Sequence, residues 1–152
     1  LFDVEVAQGE SYFESEDTQP GESPQIIEVK GVKIGLSICY DVRFPELYRD
    51  YQQSGVQLVL VPSAFTFNTG KLHWDTLLSA RAIENLFYVA GANQTGTHPN
   101  GRATYGHSQI VDPWGKVMAQ LDSNEGFITA DIDVAHLSAI RNSFPSHNHR
   151  KL

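Results

Sequence analysis

Three apolar runs constrain the chain more than any other feature: VKIGLSI at 32–38, QLVLVPSA at 57–64 and LFYVAGAN at 86–93. None has the 3.6-residue spacing of an amphipathic helix, and all are short enough for strands, the first apolar enough to be buried on both faces. Helical segments separate them. Phe44 to Ser54 places Pro45 where a first turn needs no N–H, Glu46 beside the positive helix start, and Gly55 at the stop. KLHWDTLLSARAIEN, residues 71–85, is made of good helix formers. Its apolar members, among them Trp74, Leu77, Leu78 and Ile83, go most of the way round, which predicts cover on more than one side.

Strands that alternate with helices bury their faces as stacked layers, so the expected class is α/β. Before them, QIIEV pairs with VKIGLSI as a hairpin through Lys30-Gly31, while Gly9 to Pro24, rich in acid, Ser, Gly and Pro, reads as a loop. After them come a loop at 94–106, a strand HSQIV, a DPWG turn, strands KVMAQL and GFITADI, a helix VAHLSAIRNSF and the polar tail SHNHRKL. No internal repeat is visible. One domain spanning 1–152 is expected, since 152 residues suffice for a sizeable core.

Eleven Lys and Arg against eighteen Asp and Glu give a net charge of −7 with no cationic cluster, which argues against nucleic acid as partner. One cysteine forms no intrachain disulfide and predicts a reducing, cytoplasmic setting. The longest apolar runs fall far short of the roughly 18 residues of a membrane span. The chain opens without Met on the alternating run LFDVEV, so a preceding segment is expected.

The single cysteine stands in GLSICYDVRFPEL, at the seam between an apolar strand and a helix start. A lone Cys at a strand end is commonly a small core hydrophobe. At a sharp turn above the sheet edge it is instead a candidate nucleophile, with backbone N–H groups near enough to stabilise an oxyanion. An ordinary thiol is only a few per cent ionised at pH 7 and needs a base or cation beside it. Arg43, four residues on, suits either an ion pair with Asp41 or Glu46 or a fork for a carboxylate. SAFTFNTG sets Phe65, Phe67 and Thr69 in a loop beyond a strand end, where aromatic residues line a pocket or an interface. For His73 and Trp74 packing is the expected role, and Arg81 and Glu84, three apart, suit a modest helix pair. His147 and His149 have no Cys or acid at ligand spacing, so no metal site is predicted.

ICYDVRFPEL resembles the nucleophile motif of the carbon-nitrogen hydrolase, or nitrilase, superfamily. LFDVEV, the FES and PG stretch, PSAF, the TGKLHW run, ARAIEN and RATYGHSQIVDPWG follow that family's order over nearly the whole chain. The resemblance implies a nitrilase-like α-β-β-α sandwich, here partial and lacking its N-terminal portion. It also implies a Glu, Lys, Cys triad supported by a second Glu. Cys39 matches the nucleophile, Glu14 the supporting Glu, and the N–H of Tyr40 the oxyanion donor. Arg43, Phe65 and Thr69 match positions bordering substrate, and His107 a structural position. The matching Lys and first Glu would precede Leu1, so this chain alone is expected to show no turnover. No cofactor and no metal are implied. The implied partners are a small-molecule amide and, through helix 71–85, a second copy in a homodimer or higher homo-oligomer. Arg102, Tyr105 and His107 in RATYGHS resemble the branch of deaminated glutathione amidases and ω-amidases, which cleave an ω-amide through a cysteine thioester. An N-carbamoyl or aliphatic amidase or nitrilase, and a non-catalytic assembly role, are the alternatives.

Overall fold

The computed structural model describes residues 1–6, 10–149 and 151. The alternating apolar and acidic run at the start forms a hairpin, β1 (Asp3–Val6) with antiparallel β2 (Glu10–Phe13), followed by a 3-10 turn at Glu14–Glu16. The stretch expected as loop therefore contains a strand. Residues 10–13 gain a ladder partner only once residues 3–6 lie alongside, a pairing that local composition does not encode. Gly9, the first residue of that stretch, lies outside the described residues, as do Arg150 and Leu152 of the tail.

Next come β3 (Gln25–Val29), β4 (Val32–Leu36), a 3-10 turn at Cys39–Arg43, α1 (Pro45–Gln53), β5 (Leu58–Ser63), α2 (Phe67–Asn85) and β6 (Tyr88–Asn93). A short hairpin, β7 (Thr95–Thr97) and β8 (Ala103–Tyr105), occupies the expected loop at 94–106. Then follow β9 (Gln109–Val111), β10 (Val117–Gln120), α3 (Val134–Ser143) and a 3-10 turn at Ser146–His149. One six-stranded sheet runs in the order β10-β9-β6-β5-β4-β3. β4, β5 and β6 are parallel, joined through α1 and α2, and antiparallel strands flank them. Parallel neighbours need such crossovers, which is why helices alternate with the three apolar runs.

Register puts Gly35, Val59, Val89 and Val111 on one face of the sheet. The helices lie on that face so closely that a Cβ at Gly35 would stand 2.9 Å from the Tyr51 ring, and one at Gly91 2.5 Å from Leu78. Trp74, Leu78, Val59, Val61 and Val89 are fully buried between these layers. The opposite face carries Leu36, Leu60, Ala90 and Ile110, and Leu36 stays 37% exposed. VKIGLSI is therefore buried on one face, not both, because α1 and α2 cover one face of the six-stranded sheet.

Three further expectations are corrected. α2 begins at Phe67 rather than Lys71: Asn68-Thr69-Gly70 has turn composition, yet Gly70 sits inside the helix because a Cβ there would collide with Tyr105. Only one side of α2 is covered, leaving Leu72 71% exposed. GFITADI forms no strand, and Phe127 is 88% exposed; strand-like composition pairs only where an edge is within reach. At the far end of the sheet, Arg141 of α3 donates to the carbonyls of Leu86 (2.8 Å) and Val56 (2.7 Å), just ahead of β6 and β5. Among the described residues no helix is long and apolar enough to cross a membrane.

Candidate active site

β4, β5 and β6 end at the same edge of the sheet, the carboxyl edge, where open α/β sheets offer a crevice. A cavity of about 1240 Å³ lies there, and Cys39, Glu14, Arg43, Phe65, Thr69 and Arg102 all line it. Five of these six positions, all but Arg102, were singled out in the sequence as candidate site residues, and the six come from four separate stretches of chain.

Cys39 is half-buried and has φ +45°, the left-handed region that costs a residue with a side chain about 1–3 kcal/mol unless its surroundings enforce it. The enforcing contacts are identifiable. Ile38 is still extended, and its N–H donates to the Asp41 carboxylate (2.9 Å) while its carbonyl accepts from the Asp41 N–H (2.9 Å). Below the turn, α1 holds the last residues of the strand. Ser37 Oγ bonds the Tyr48 hydroxyl at 2.9 Å, and the Tyr51 hydroxyl donates to the Leu36 carbonyl. Both tyrosines are fully buried, and burial pushes the Tyr48 phenol far above its ordinary pKa, so it stays a neutral hydrogen-bonding group. The Tyr40 N–H falls in the first turn of the 3-10 segment, where no partner exists within the segment.

Arg43 forms no ion pair with Asp41 or Glu46 among the described residues. Asp41 is engaged by Ile38. The guanidinium lies 5.1 Å from the Phe65 ring centroid and 5.7 Å from that of Tyr40, with Nη1 3.4 Å from His73 Nδ1. His73 is exposed and in contact with Arg43, not packed as expected, whereas Trp74 is buried and its indole N–H donates to the His107 carbonyl at 2.9 Å. Phe65 is nearly buried rather than exposed, its ring tilted against that of Trp74 at 5.2 Å. Its N–H donates to Asn93 Oδ1 (2.9 Å), and Asn93 Nδ2 donates to the Gly106 carbonyl (2.7 Å), tying the ends of β5 and β6 to the β7–β8 hairpin. Thr69 Oγ1 bonds Thr66 Oγ1 at 2.6 Å. Phe67, half exposed, meets Tyr105 edge-on at 6.1 Å. The Glu14 carboxylate accepts the Phe2 N–H at 2.7 Å.

Arg81 does more than pair along its helix. It is only 6% exposed, and its Nε donates to the Val42 carbonyl inside the Cys39–Arg43 turn at 2.9 Å while Nη1 holds Glu84 at 2.7 Å. Glu84 also reaches Arg49 of α1 at 3.5 Å. Sequence reasoning missed this tie, although an arginine in the middle of an otherwise apolar helix surface was the available signal. His107 stacks on Tyr105 at 3.9 Å, and its Nδ1 lies 2.8 Å from the Tyr105 carbonyl. Among the described residues no three His, Cys, Asp or Glu side chains gather as a metal site.

This arrangement presents a thiol, an N–H-bearing turn, a carboxylate and two guanidiniums to one cavity. Chemically it offers a sulfur nucleophile next to a place for an anion.

The family described as carbon-nitrogen hydrolase matches residues 1–142. A deaminated glutathione amidase from Dictyostelium discoideum is 47% identical over 154 aligned residues, covering 100% of this chain and 53% of its own. The crystal structure of the Caenorhabditis elegans NitFhit protein superposes with a TM-score of 0.92 at 46% identity, over 99% of this chain and 37% of that one. An amidase from Nesterenkonia sp. AN1, solved as a mutant showing the result of Michael addition of acrylamide at its active-site cysteine, has a TM-score of 0.70. It is 34% identical, over 84% of this chain and 50% of that one. The chain spans about half the length of the curated relatives it matches.

Proposed function

This chain belongs to the carbon-nitrogen hydrolase family, and from that premise we propose that its cavity is an amidase site working through Cys39. The observation that supports this most directly is the left-handed turn that sets the thiol at the cavity at the carboxyl edge of the parallel strands. Sγ attacks the amide carbonyl carbon, and the oxyanion that forms lies against the Tyr40 N–H. The C–N bond then breaks, the nitrogen leaves as ammonia after taking up a proton, and an acyl thioester remains on Cys39. Water adds to that thioester and releases the carboxylate and the thiol. Glu14 orients groups around the nucleophile. No lysine lines the cavity among the described residues, and this reading assigns the triad's cation and general base to none of them. Turnover by residues 1–152 alone stays below detection.

Arg43 forks the carboxylate of an ω-amide, with Phe65 and Thr69 bordering the chain between carboxylate and amide. The substrate is thus the ω-amide of a small carboxylic acid, a reading supported by a Xenopus tropicalis relative named omega-amidase. The decisive experiment is mass spectrometry of the full-length protein mixed with ω-amides, carbamoyl compounds and nitriles. An acyl adduct on Cys39 formed from ω-amides is the expected result. No adduct and no turnover from any amide overturns the proposal, and a preference for carbamoyl compounds or nitriles overturns the substrate assignment. Arg43→Lys keeps the charge but loses the fork, and is expected to raise KM for acidic amides about tenfold while leaving neutral amides within about twofold. Equal effects on both would return Arg43 to a structural role.

A further inference from the structure

We propose that His73 is a positioning residue for this cavity: through Nδ1 it sets the rotation of the Arg43 guanidinium, and with it the direction in which that fork meets a substrate carboxylate. This rests on the amidase reading above and adds to it the residue that aims its anion contact.

Arg43 lines the cavity and forms no ion pair among the described residues. Two aromatic rings lie within cation–π reach of its guanidinium carbon, Phe65 at 5.1 Å and Tyr40 at 5.7 Å to the ring centroids. A ring face attracts a cation without choosing which N–H points where. Nη1 has a directional partner in His73 Nδ1 at 3.4 Å. A guanidinium offers donors only, so the imidazole nitrogen in this contact is the acceptor and the ring proton sits on Nε2. His73 itself is not among the residues that line the cavity, so its influence on a bound substrate passes through Arg43.

The imidazole is placed in turn by a helix that is itself pinned. Trp74, the next residue of α2, is fully buried and donates its indole N–H to the His107 carbonyl at 2.9 Å. About two helical turns further on, Arg81 donates to the Val42 carbonyl inside the Cys39–Arg43 turn at 2.9 Å. α2 thus meets the cysteine turn twice, at its backbone through Arg81 and at its last side chain through His73. A bidentate contact requires guanidinium and carboxylate to lie in register, and a long, rotamer-rich side chain loses that register when its directional partner is removed. A fork held before substrate arrives has less ordering to undergo on binding. The carboxylate takes no part in bond breaking, so loosening the fork raises KM and spares kcat.

Two substrates of the full-length protein test this, an ω-amide with a free carboxylate and its neutral methyl ester. In His73→Leu, KM for the free acid is expected to rise about three- to tenfold, the scale of one lost hydrogen bond to a charged group, while KM for the ester and kcat for both stay within about twofold. His73→Asn, whose Oδ1 can take the acceptor place of Nδ1, regains most of the loss. Added to Arg43→Met, His73→Leu changes KM by less than about twofold, because the group it aims is gone. Equal shifts for acid and ester, a fall in kcat instead of a rise in KM, no effect, no rescue by Asn, or a full additional effect in Arg43→Met overturns the positioning role and leaves the amidase reading standing. A second readout is independent of turnover: the ¹⁵N spectrum of the His73 ring at about pH 8, where an ordinary imidazole is neutral, is expected to show Nδ1 without a proton, and a protonated Nδ1 overturns the role. Failure of the wild-type protein to hydrolyse either amide overturns the amidase reading and this inference with it.

Discussion

Cys39→Ala in the full-length protein is expected to lower turnover of an ω-amide by about four powers of ten or more, because the hydroxyls left on the cavity walls are far weaker nucleophiles than a thiolate. Stability changes little. The side chain is half-buried at the cavity, and the left-handed turn beneath it is enforced by hydrogen bonds of Asp41, Tyr48 and Tyr51 to the backbone and to Ser37, none of which uses the sulfur. Steady-state rates together with thermal unfolding check both halves of the expectation. Turnover by the alanine variant within tenfold of wild type would remove Cys39 from the chemistry. Cys39→Ser separates geometry from reactivity: the hydroxyl fits the same turn but is a weaker nucleophile, so it too is expected to be nearly inactive.

The second large effect concerns Arg81, which never meets the substrate. Arg81→Met keeps most of the buried volume but leaves the Val42 carbonyl without its donor and Glu84 with only its longer contact to Arg49. Losing a buried charge-assisted bond of this kind costs about 2–4 kcal/mol. For a chain of this size that lowers the unfolding midpoint by roughly 5–15 °C. Val42 sits in the same five-residue turn as Cys39, so loosening it lets the thiol wander from the oxyanion donor. kcat is expected to fall while KM holds, the sign of a positioning role rather than a binding one. Glu84→Gln, which spares the Val42 bond, gives the smaller change in both. An Arg81→Met protein as stable as wild type, with unchanged kcat, would show that the tie carries no weight.

Much of the site could be read from residue order. Cys39, Arg43, Phe65 and Thr69 follow strand ends, and strand ends at the carboxyl edge of parallel strands converge by construction, so naming the loops amounted to naming the cavity. Local chemistry was read less well. Asp41 looked like a partner for Arg43, yet a carboxylate two residues after a cysteine in a left-handed turn lies closer to the exposed N–H of Ile38 than to a long side chain swinging away. Phe65 looked like an exposed loop aromatic and is instead nearly buried on Trp74, a contact that links residues nine apart through the start of a helix. Arg102 stood out as part of the RATYGHS stretch, but its lack of a counter-charge is a property of its neighbours in space.

By itself the sequence determined the alternation of strands and helices, the cysteine at the seam of one such unit, and the family that shares this order. Periodicity, turn residues and motif spacing are local, and these features are written locally. Only the tertiary structure decided which sheet face is covered, that Tyr48, Tyr51 and Arg81 brace the cysteine turn, and that the guanidiniums of Arg43 and Arg102 share one cavity. Each of these depends on groups brought together from distant stretches of chain, where burial and competition for partners, not spacing, fix what a side chain does.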